Sequence, residues 1–262
     1  MKKLYIDSRE RFIVYNKQTS SKNKAPCVIF LHGFMSNMNG SKAIAMEQYC
    51  QNKGYDFIRF DNFGCGEASG DFTDQTITDW LYGLNLVIQE LADGPILLVG
   101  SSMGGWLALL AVKLRYYAGA NSSDAKKIIG IITIAAAVDF TESLIWNELT
   151  DSEKDILTEQ GVYEICGSNE NCSQPYPISY KLIEDGRKHL LLNGLQIDIS
   201  CPVHLIHGMK DIDVPYAISL EVAGKLKSDQ VVVKLIKDAD HKLSREEDLR
   251  ILYNSIEEIL KI

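Results

Sequence analysis

The sequence predicts an α/β protein in which a mostly parallel central sheet carries helices on both faces. Continuous Val, Ile and Leu runs, rather than alternating ones, predict strands that are buried on both faces. These runs alternate with longer segments of helical spacing, an order typical of parallel sheets. With 262 residues, 46% of them hydrophobic, the chain suits a single domain, 1–262, with one insertion.

The elements follow from the spacing of apolar residues and from glycine positions. Short β-branched runs predict strands, and apolar residues at every third or fourth position predict helices. Gly54 follows one helical segment and predicts its end. In chain order we predict a hairpin formed by LYIDS and FIVYN, a strand at 27–33, a helix at 43–54, a strand at 56–61, a helix at 78–92, a strand at 95–100, a helix at 104–119, strands at 127–137 and 201–208, a helix at 216–226, a strand at 230–237 and a closing helix at 245–262.

The alternation of strands and helices stops once, between 139 and 200. That stretch has no strong strand pattern, and its segments TESLIWNEL, DSEKDILTEQG and YPISYKLIEDGRKHLLL predict helices. We therefore expect 139–200 to form a helical cap or lid, inserted into the domain and lying over the carboxyl ends of the strands.

Charge and composition argue against several classes of protein. A formal net charge of -8 disfavours a nucleic-acid-binding protein, which usually has a basic face. No run approaches the roughly 18 apolar residues that predict a membrane span. The N-terminal MKKLYIDSRERF resembles neither a signal peptide nor a transit sequence, so we expect a cytoplasmic protein with reduced cysteines, a monomer by default. Oxidation of Cys166 and Cys172 to close a small loop is the alternative for that pair.

One turn carries the strongest functional signal. In ILLVGSSMGGWLALL a strand pattern ends at a glycine and a helical pattern follows. Gly100-Ser101-Ser102-Met103-Gly104 is a G-x-S-x-G sequence between strand and helix, the setting of a nucleophilic serine at a sharp turn. The glycines flank Ser102, so we expect Ser102 to react and Ser101 to bond locally. A phosphate-binding turn is the alternative, but the G-K-[ST] and G-x-G-x-x-G patterns are absent here.

A serine hydroxyl needs a base, and the base needs an orienting acid. His241 follows the last predicted strand in the loop KDADHKLSR, a place where site residues commonly lie. His204 alternates within a strand, and His189 lies in the charged part of the insertion. We therefore predict His241 as the base. The loop HGMKDIDVP offers Asp211 and Asp213 as the acid.

Backbone N–H groups that stabilise an oxyanion are expected from two places. The first turn of the helix after the serine supplies the amide of Met103. The segment FLHGFMSN, at the end of an earlier strand, supplies the amide of Phe34. There Gly33 permits a close approach, and we expect His32 to shape the loop rather than to transfer protons.

Together these residues resemble the α/β-hydrolase superfamily over nearly the whole chain. Ser102, Asp211 and His241 match its catalytic triad in chain order, and the resemblance favours Asp211 over Asp213. The segments LHGFMSNMNGSKA, FIRFDNFGCGEASG, DGPILLVGSSMGGWLALLA and LIHGMKDIDVP are similar to one branch in particular. That branch comprises mitochondrial palmitoyl-protein thioesterases that also cleave acyl glucuronides, together with bacterial relatives.

The resemblance implies a serine hydrolase that cleaves esters or thioesters through an acyl-enzyme on Ser102, without a cofactor or a metal. Its substrate would be a small-molecule or protein-linked acyl compound. We expect apolar side chains near the nucleophile and in the lid to contact this substrate, namely Met35, Trp146 and Tyr176. In the insertion, Arg187 and Lys188 either bind an anionic head group or form a solvated helix face.

Other functions are compatible with the same motifs. A carbon–carbon bond hydrolase uses the same triad but needs polar groups for a dienoate. A serine aminopeptidase needs an acidic site for the amine of its substrate, for which Glu142 or Glu148 is available. A non-catalytic binding protein on a hydrolase scaffold usually lacks a triad member, whereas all three are present here.

Overall fold

A computed structural model describes residues 1–6, 10–20, 25–117, 128–166 and 175–261 of the chain. Its strands are β1 (Lys2–Ile6), β2 (Arg11–Gln18), β3 (Cys27–Leu31), β4 (Asp56–Asp61), β5 (Ile96–Ser101), β6 (Ile128–Ile134), β7 (Val162–Ile165), β8 (Tyr176–Ser179), β9 (Val203–Gly208) and β10 (Val231–Ile236). Its α-helices are α1 (Ser41–Lys53), α2 (Ile77–Glu90), α3 (Met103–Tyr117), α4 (Asp151–Gln160), α5 (Tyr180–Gly186), α6 (Ala217–Lys225) and α7 (Glu246–Leu260).

An eight-stranded sheet in the order β1-β2-β4-β3-β5-β6-β9-β10 forms the centre of the molecule. β2 pairs antiparallel with β1 and β4, and every other neighbouring pair in this sheet is parallel. The predicted mostly parallel α/β architecture is therefore confirmed. Every residue of β3 and β5 is buried, which explains their unbroken apolar runs.

Helices cover both faces of the sheet, so the core consists of two clusters. One cluster contains Trp80 from α2 and Trp106 from α3, both completely buried. The other contains Met46 from α1 and Ile256 from α7. Packing on both faces fixes the loops at the carboxyl ends of the strands, where the candidate site residues lie.

The segment 139–200 between β6 and β9 is only partly helical, contrary to expectation. It contains α4 and α5, but β7 and β8 form a separate antiparallel pair. The stretch expected to begin a helix at Tyr176 is a strand, because the residue before Pro177 disfavours helical dihedrals. Helix α5 then begins after Ser179, whose hydroxyl accepts a hydrogen bond from the amide of Leu182 at 3.2 Å.

Within the described residues, no helix combines the length and the apolar character needed to cross a bilayer. Four cysteines are free thiols, as expected: Cys27, Cys50, Cys65 and Cys201. Burial raises the pKa of Cys27 and that of Cys65 to about 12, so both thiols stay protonated. Cys166 is disulfide-bonded rather than reduced, which corrects the expectation for that residue, and Cys172 lies outside the described residues.

Candidate active site

Ser102 lies at the sharp turn between β5 and α3. Its φ of 54° is a left-handed value that is strained for a residue with a Cβ. Surrounding hydrogen bonds hold this conformation: the Ser102 amide donates to the carbonyl of Ile134 at 2.8 Å, and the Gly105 amide donates to the carbonyl of Ser102 at 2.9 Å. Such a strained serine between strand and helix is what the G-x-S-x-G sequence predicts.

The glycines beside Ser102 allow strand and helix to approach closely. A Cβ on Gly100 would lie 2.1 Å from the carbonyl oxygen of Gly104, and one on Gly104 would lie 2.4 Å from that of Leu31. Gly33 also abuts the serine, since its Cβ would lie 3.2 Å from the Cβ of Ser102. Side chains at these positions would force the first turn of α3 away from β3.

His241 and Asp211 meet at the carboxyl end of the sheet, in the loops that follow β10 and β9. Nδ1 of His241 lies 2.7 Å from Oδ2 of Asp211, whose side chain is completely buried. Oδ1 of Asp211 accepts hydrogen bonds from the amides of Asp213 at 2.9 Å and Val214 at 2.8 Å. Burial alone would raise the pKa of Asp211, but hydrogen bonds from His207 and His241 outweigh it and hold this pKa well below its usual range.

Ser102 and His241 line the same cavity, which has a volume of about 750 Å³. This volume is typical of small-molecule sites. Phe140 and Val214 form part of its buried apolar wall, and more than half of the lining residues come from 139–200. No hydrogen bond joins the two described side chains of Ser102 and His241, a contact that often tightens only when substrate binds.

The amides of Phe34 and Met103 have no hydrogen-bond partner among the described residues. His32 orients the first of them. Burial lowers the pKa of His32, so the ring is neutral. Its Nε2 accepts from the Asn62 amide at 3.4 Å, and its Nδ1 donates to the carbonyl of Gly33 at 2.8 Å. In a trans peptide the N–H of Phe34 points opposite to that carbonyl, so His32 sets its direction, as expected for a loop-shaping residue.

The residues predicted to contact substrate lie in different environments. Met35 and Tyr176 line the cavity, and Met35 is half exposed with a φ of 54°. Trp146 is not among the lining residues, because its ring packs 4.6 Å from the guanidinium of Arg187. Met103 is buried in the core, and its side chain is not among those that line the cavity.

The charged residues that line the cavity are acidic, apart from His241: Glu148, Glu153, Glu164 and Asp213. The described lining includes no Lys or Arg. Nε of Arg187 lies 2.7 Å from Glu142, and Nζ of Lys188 lies 3.3 Å from Asp185. Both cations are therefore paired within 139–200, which argues against their binding an anionic head group. Glu142, one of the two acids considered for an aminopeptidase, is engaged by the same pairing.

Two supporting residues were not predicted from the sequence. His207 contacts Asp211, and its spacing of four residues before Asp211 in HGMKD was the available signal. Lys42 of α1 donates a hydrogen bond to the carbonyl of Lys242, beside His241. Burial lowers the pKa of Lys42 to about 8. No local pattern indicates this contact, since its partners are 200 residues apart.

Within the described ranges, one group of side chains has the spacing needed to hold a metal ion. It consists of Asp211, Asp213 and His241, whose possible ligand atoms lie within 4.8 Å of one another. Oδ2 of Asp211 already accepts from His241, and its Oδ1 accepts from two backbone amides. This hydrogen bonding accounts for the cluster, so we assign no metal to it.

The fold and this geometry define a class of enzymes. The protein-family model described as the alpha/beta hydrolase fold matches residues 26–154 of the sequence. The chain belongs to the α/β-hydrolase family and is a hydrolase of ester or thioester bonds. This sets aside the non-catalytic binding protein.

Within that family the chain is similar to the ABHD10 proteins. Bovine mitochondrial palmitoyl-protein thioesterase ABHD10 is 36% identical over 239 residues, 91% of this chain and 74% of the bovine protein. Mouse alpha/beta hydrolase domain-containing protein 10 is 33% identical with a TM-score of 0.85, over 100% of this chain and 99% of the mouse chain. A putative hydrolase from Agrobacterium vitis S4 is 36% identical with a TM-score of 0.90, over 98% and 97% of the two chains.

These relatives contradict one expectation. The bovine, orangutan and human proteins are named as mitochondrial, so the prediction of a cytoplasmic location is wrong. The absence of a recognisable transit pattern was insufficient evidence for a location.

Proposed function

We propose that Ser102 is the nucleophile, His241 the general base and Asp211 the orienting acid of a carboxylesterase or acyl-protein thioesterase. The observation that carries this proposal is the common cavity of a strained Ser102 and of His241, which is held 2.7 Å from a buried Asp211. The carboxylate keeps the proton on Nδ1 of His241 and leaves Nε2 to accept the proton of Ser102.

The reaction then follows from these atoms. Oγ of Ser102 attacks the acyl carbonyl carbon while His241 takes its proton, and the free amides of Phe34 and Met103 stabilise the oxyanion. The bond to the leaving sulfur or oxygen breaks as His241 returns the proton to it. His241 next deprotonates a water that attacks the acyl-enzyme, which releases the carboxylic acid and restores Ser102. Every proton transfer has a donor and an acceptor, so the proposal requires no cofactor.

The substrate we propose is a medium- or long-chain acyl thioester, free or linked to a protein. The curated relatives are named palmitoyl-protein thioesterases, which supports this class. Phe140, Ile145 and Leu149 give the cavity a buried apolar wall for an acyl chain. In this proposal 139–200 is the lid, and the enzyme acts as a monomer without a nucleic-acid partner, in keeping with its net charge of -8.

The test is the hydrolysis of acyl thioesters and matched oxygen esters, from acetyl to palmitoyl, by wild type and by Ser102→Ala. We expect wild type to prefer medium or long thioesters and Ser102→Ala to be inactive. Ser101→Ala is the matched control, because it removes the neighbouring hydroxyl and should keep most of the activity. Equal activity in Ser102→Ala and wild type would refute the mechanism. Inactivity of wild type on every ester would redirect the search to carbon–carbon and peptide bonds.

A further inference from the structure

His207 is a buried histidine that the reaction above does not use. It is the second-last residue of β9 and is completely buried. Its Nε2 lies 3.1 Å from Oδ2 of Asp211 and 3.0 Å from the carbonyl oxygen of Val214, and its Nδ1 lies 2.7 Å from Oγ of Ser219. Ser219, on α6, is also buried. His207 thus connects α6 to the candidate acid.

The neighbours of His207 define where its proton lies. A carbonyl oxygen can only accept, and Asp211 is ionised, so the atom between them, Nε2, must be the donor. In the neutral ring Nδ1 then accepts, and Ser219 supplies the O–H. This hydroxyl selects the tautomer in which His207 donates to Asp211.

His207 also completes the coordination of the carboxylate. Oδ1 of Asp211 is held by two backbone amides of its own loop. Oδ2 is shared between the N–H of His207 and the N–H of His241. The same oxygen that orients the proposed base is therefore also held by a second imidazole.

We propose that His207 is a positioning residue that tunes the basicity of His241 through Asp211, within the chain Ser219–His207–Asp211–His241. A hydrogen-bond donor to a carboxylate stabilises the charged form and partly offsets the negative charge that other groups experience. Asp211 therefore attracts the His241 imidazolium less strongly than it would with a single imidazole partner. His207 also restricts rotation of the carboxylate and so fixes the direction of His241. This inference rests on the proposed role of His241 as the base.

The direct test is the pH dependence of kcat/KM for His207→Leu and His207→Gln, with a neutral acyl thioester as substrate. The Leu variant removes the donor, so we expect the acid limb to move up by about half a pH unit. We expect its kcat/KM on the plateau to fall about tenfold, because the base is held less firmly. The amide of Gln lies near the position of Nε2 and donates to Asp211, so His207→Gln should restore both quantities toward wild type.

A second readout does not depend on finding the right substrate. The chain has five histidines, so NMR of protein labelled with [15N]histidine can follow the titration of His241 alone. Its pKa should be higher in His207→Leu than in wild type. If wild type hydrolyses no ester or thioester, the proposed function fails, while this titration still tests the link between the two histidines.

His204→Gln is the matched control. His204 is buried on the same strand, but it is three residues from His207 and so points to the other face, beside Glu258. The His204→Gln variant should leave both the acid limb of kcat/KM and the titration of His241 unchanged. If His207→Leu does not fold, Ser219→Ala is used instead. It should shift the acid limb and the His241 titration in the same direction, but by less. The proposal would be overturned if the folded His207→Leu or Ser219→Ala variant kept the acid limb and the His241 titration of wild type. It would also be overturned if His207→Gln did not recover the acid limb and the plateau kcat/KM.

Discussion

The carboxylate of Asp139 accepts a hydrogen bond from the amide of Leu191, 52 residues further along the chain, through both oxygens at 2.9 and 3.0 Å. The amide of Leu192 donates to the same group at 2.8 Å. Asp139 is buried and has a φ of 58°. These bonds tie the beginning of the segment 139–200 to a point near its end, and thereby close the base of the proposed lid.

Asp139→Ala should loosen that segment. It removes the acceptor for one buried and one partly buried amide, so we expect a loss of about 1.5–3 kcal/mol in the free energy of unfolding. Hydrogen–deuterium exchange should rise in α4 and α5 more than in the central sheet, and the preference for acyl chain length should broaden. Asp155→Ala, at an exposed position on α4, is the control. Identical exchange in the two variants would show that Asp139 does not hold the segment.

Asp211 should also affect the pH dependence of stability. Its pKa in the folded protein is below the unfolded value of about 3.9, so the ionised group stabilises the fold above that pH, and this contribution is lost as the pH falls toward the folded pKa. Asp211→Asn should therefore flatten the fall in unfolding free energy between about pH 5 and pH 3, measured by urea denaturation. Activity should fall by about 10⁴-fold, because Asn does not hold the required tautomer of His241. Asp229→Asn, at an exposed site, should change neither property.

Gly104 and Gly224 are a matched pair of helical glycines. A Cβ at Gly104 would lie 2.4 and 2.7 Å from the carbonyl oxygens of Leu31 and His32, whereas one at Gly224 would meet nothing within 4 Å. We expect Gly104→Ala to lose about 2–3 kcal/mol of stability and most of its activity, because α3 must move away from β3. Gly224→Ala should gain about 0.5–1 kcal/mol from its better helix propensity. Thermal melts of both variants decide this, and equal melting temperatures would contradict the packing argument.

The acidic lining should influence which leaving groups are accepted. Among described lining residues there are four carboxylates and no Lys or Arg, so a polyanionic leaving group is repelled. With one acyl chain throughout, we expect kcat/KM to decrease from acyl-thiocholine through the N-acetylcysteamine thioester to acyl-CoA. Release of thiol gives one assay for all three.

Substitution of two acidic lining residues tests whether their negative charge causes this order of kcat/KM values. Glu148→Gln with Glu164→Gln should narrow the spread between cationic and anionic substrates, as should added salt. Glu246→Gln with Glu247→Gln is a control that changes the net charge equally on α7, where Glu246 pairs with Arg250 and Glu247 with Arg245. A preference for acyl-CoA in wild type would refute the electrostatic argument.

Local sequence determined the architecture and the candidates for chemistry. Buried runs such as ILLVGS predict parallel strands because both of their faces meet helices, and β5 is buried throughout. The glycines around Ser102 predict a sharp turn because only residues without a Cβ fit there, and the distances at Gly100 and Gly104 agree. His241 was predicted from its loop, whereas the loop after β9 offered both Asp211 and Asp213, and the family resemblance favoured Asp211. His241 and Asp211 lie in hydrogen-bond contact; their catalytic roles, and that of Ser102, stay predictions.

Tertiary structure decided what depends on contacts between distant residues. The pairing of β7 with β8, the packing of Trp146 on Arg187 and the hydrogen bond of Lys42 to Lys242 have no periodic or local signature. The role of His207 depends on which atom faces Asp211, which spacing alone cannot give. Periodicity records the average environment of a face, whereas a site depends on individual atoms that only the folded chain brings within hydrogen-bond distance.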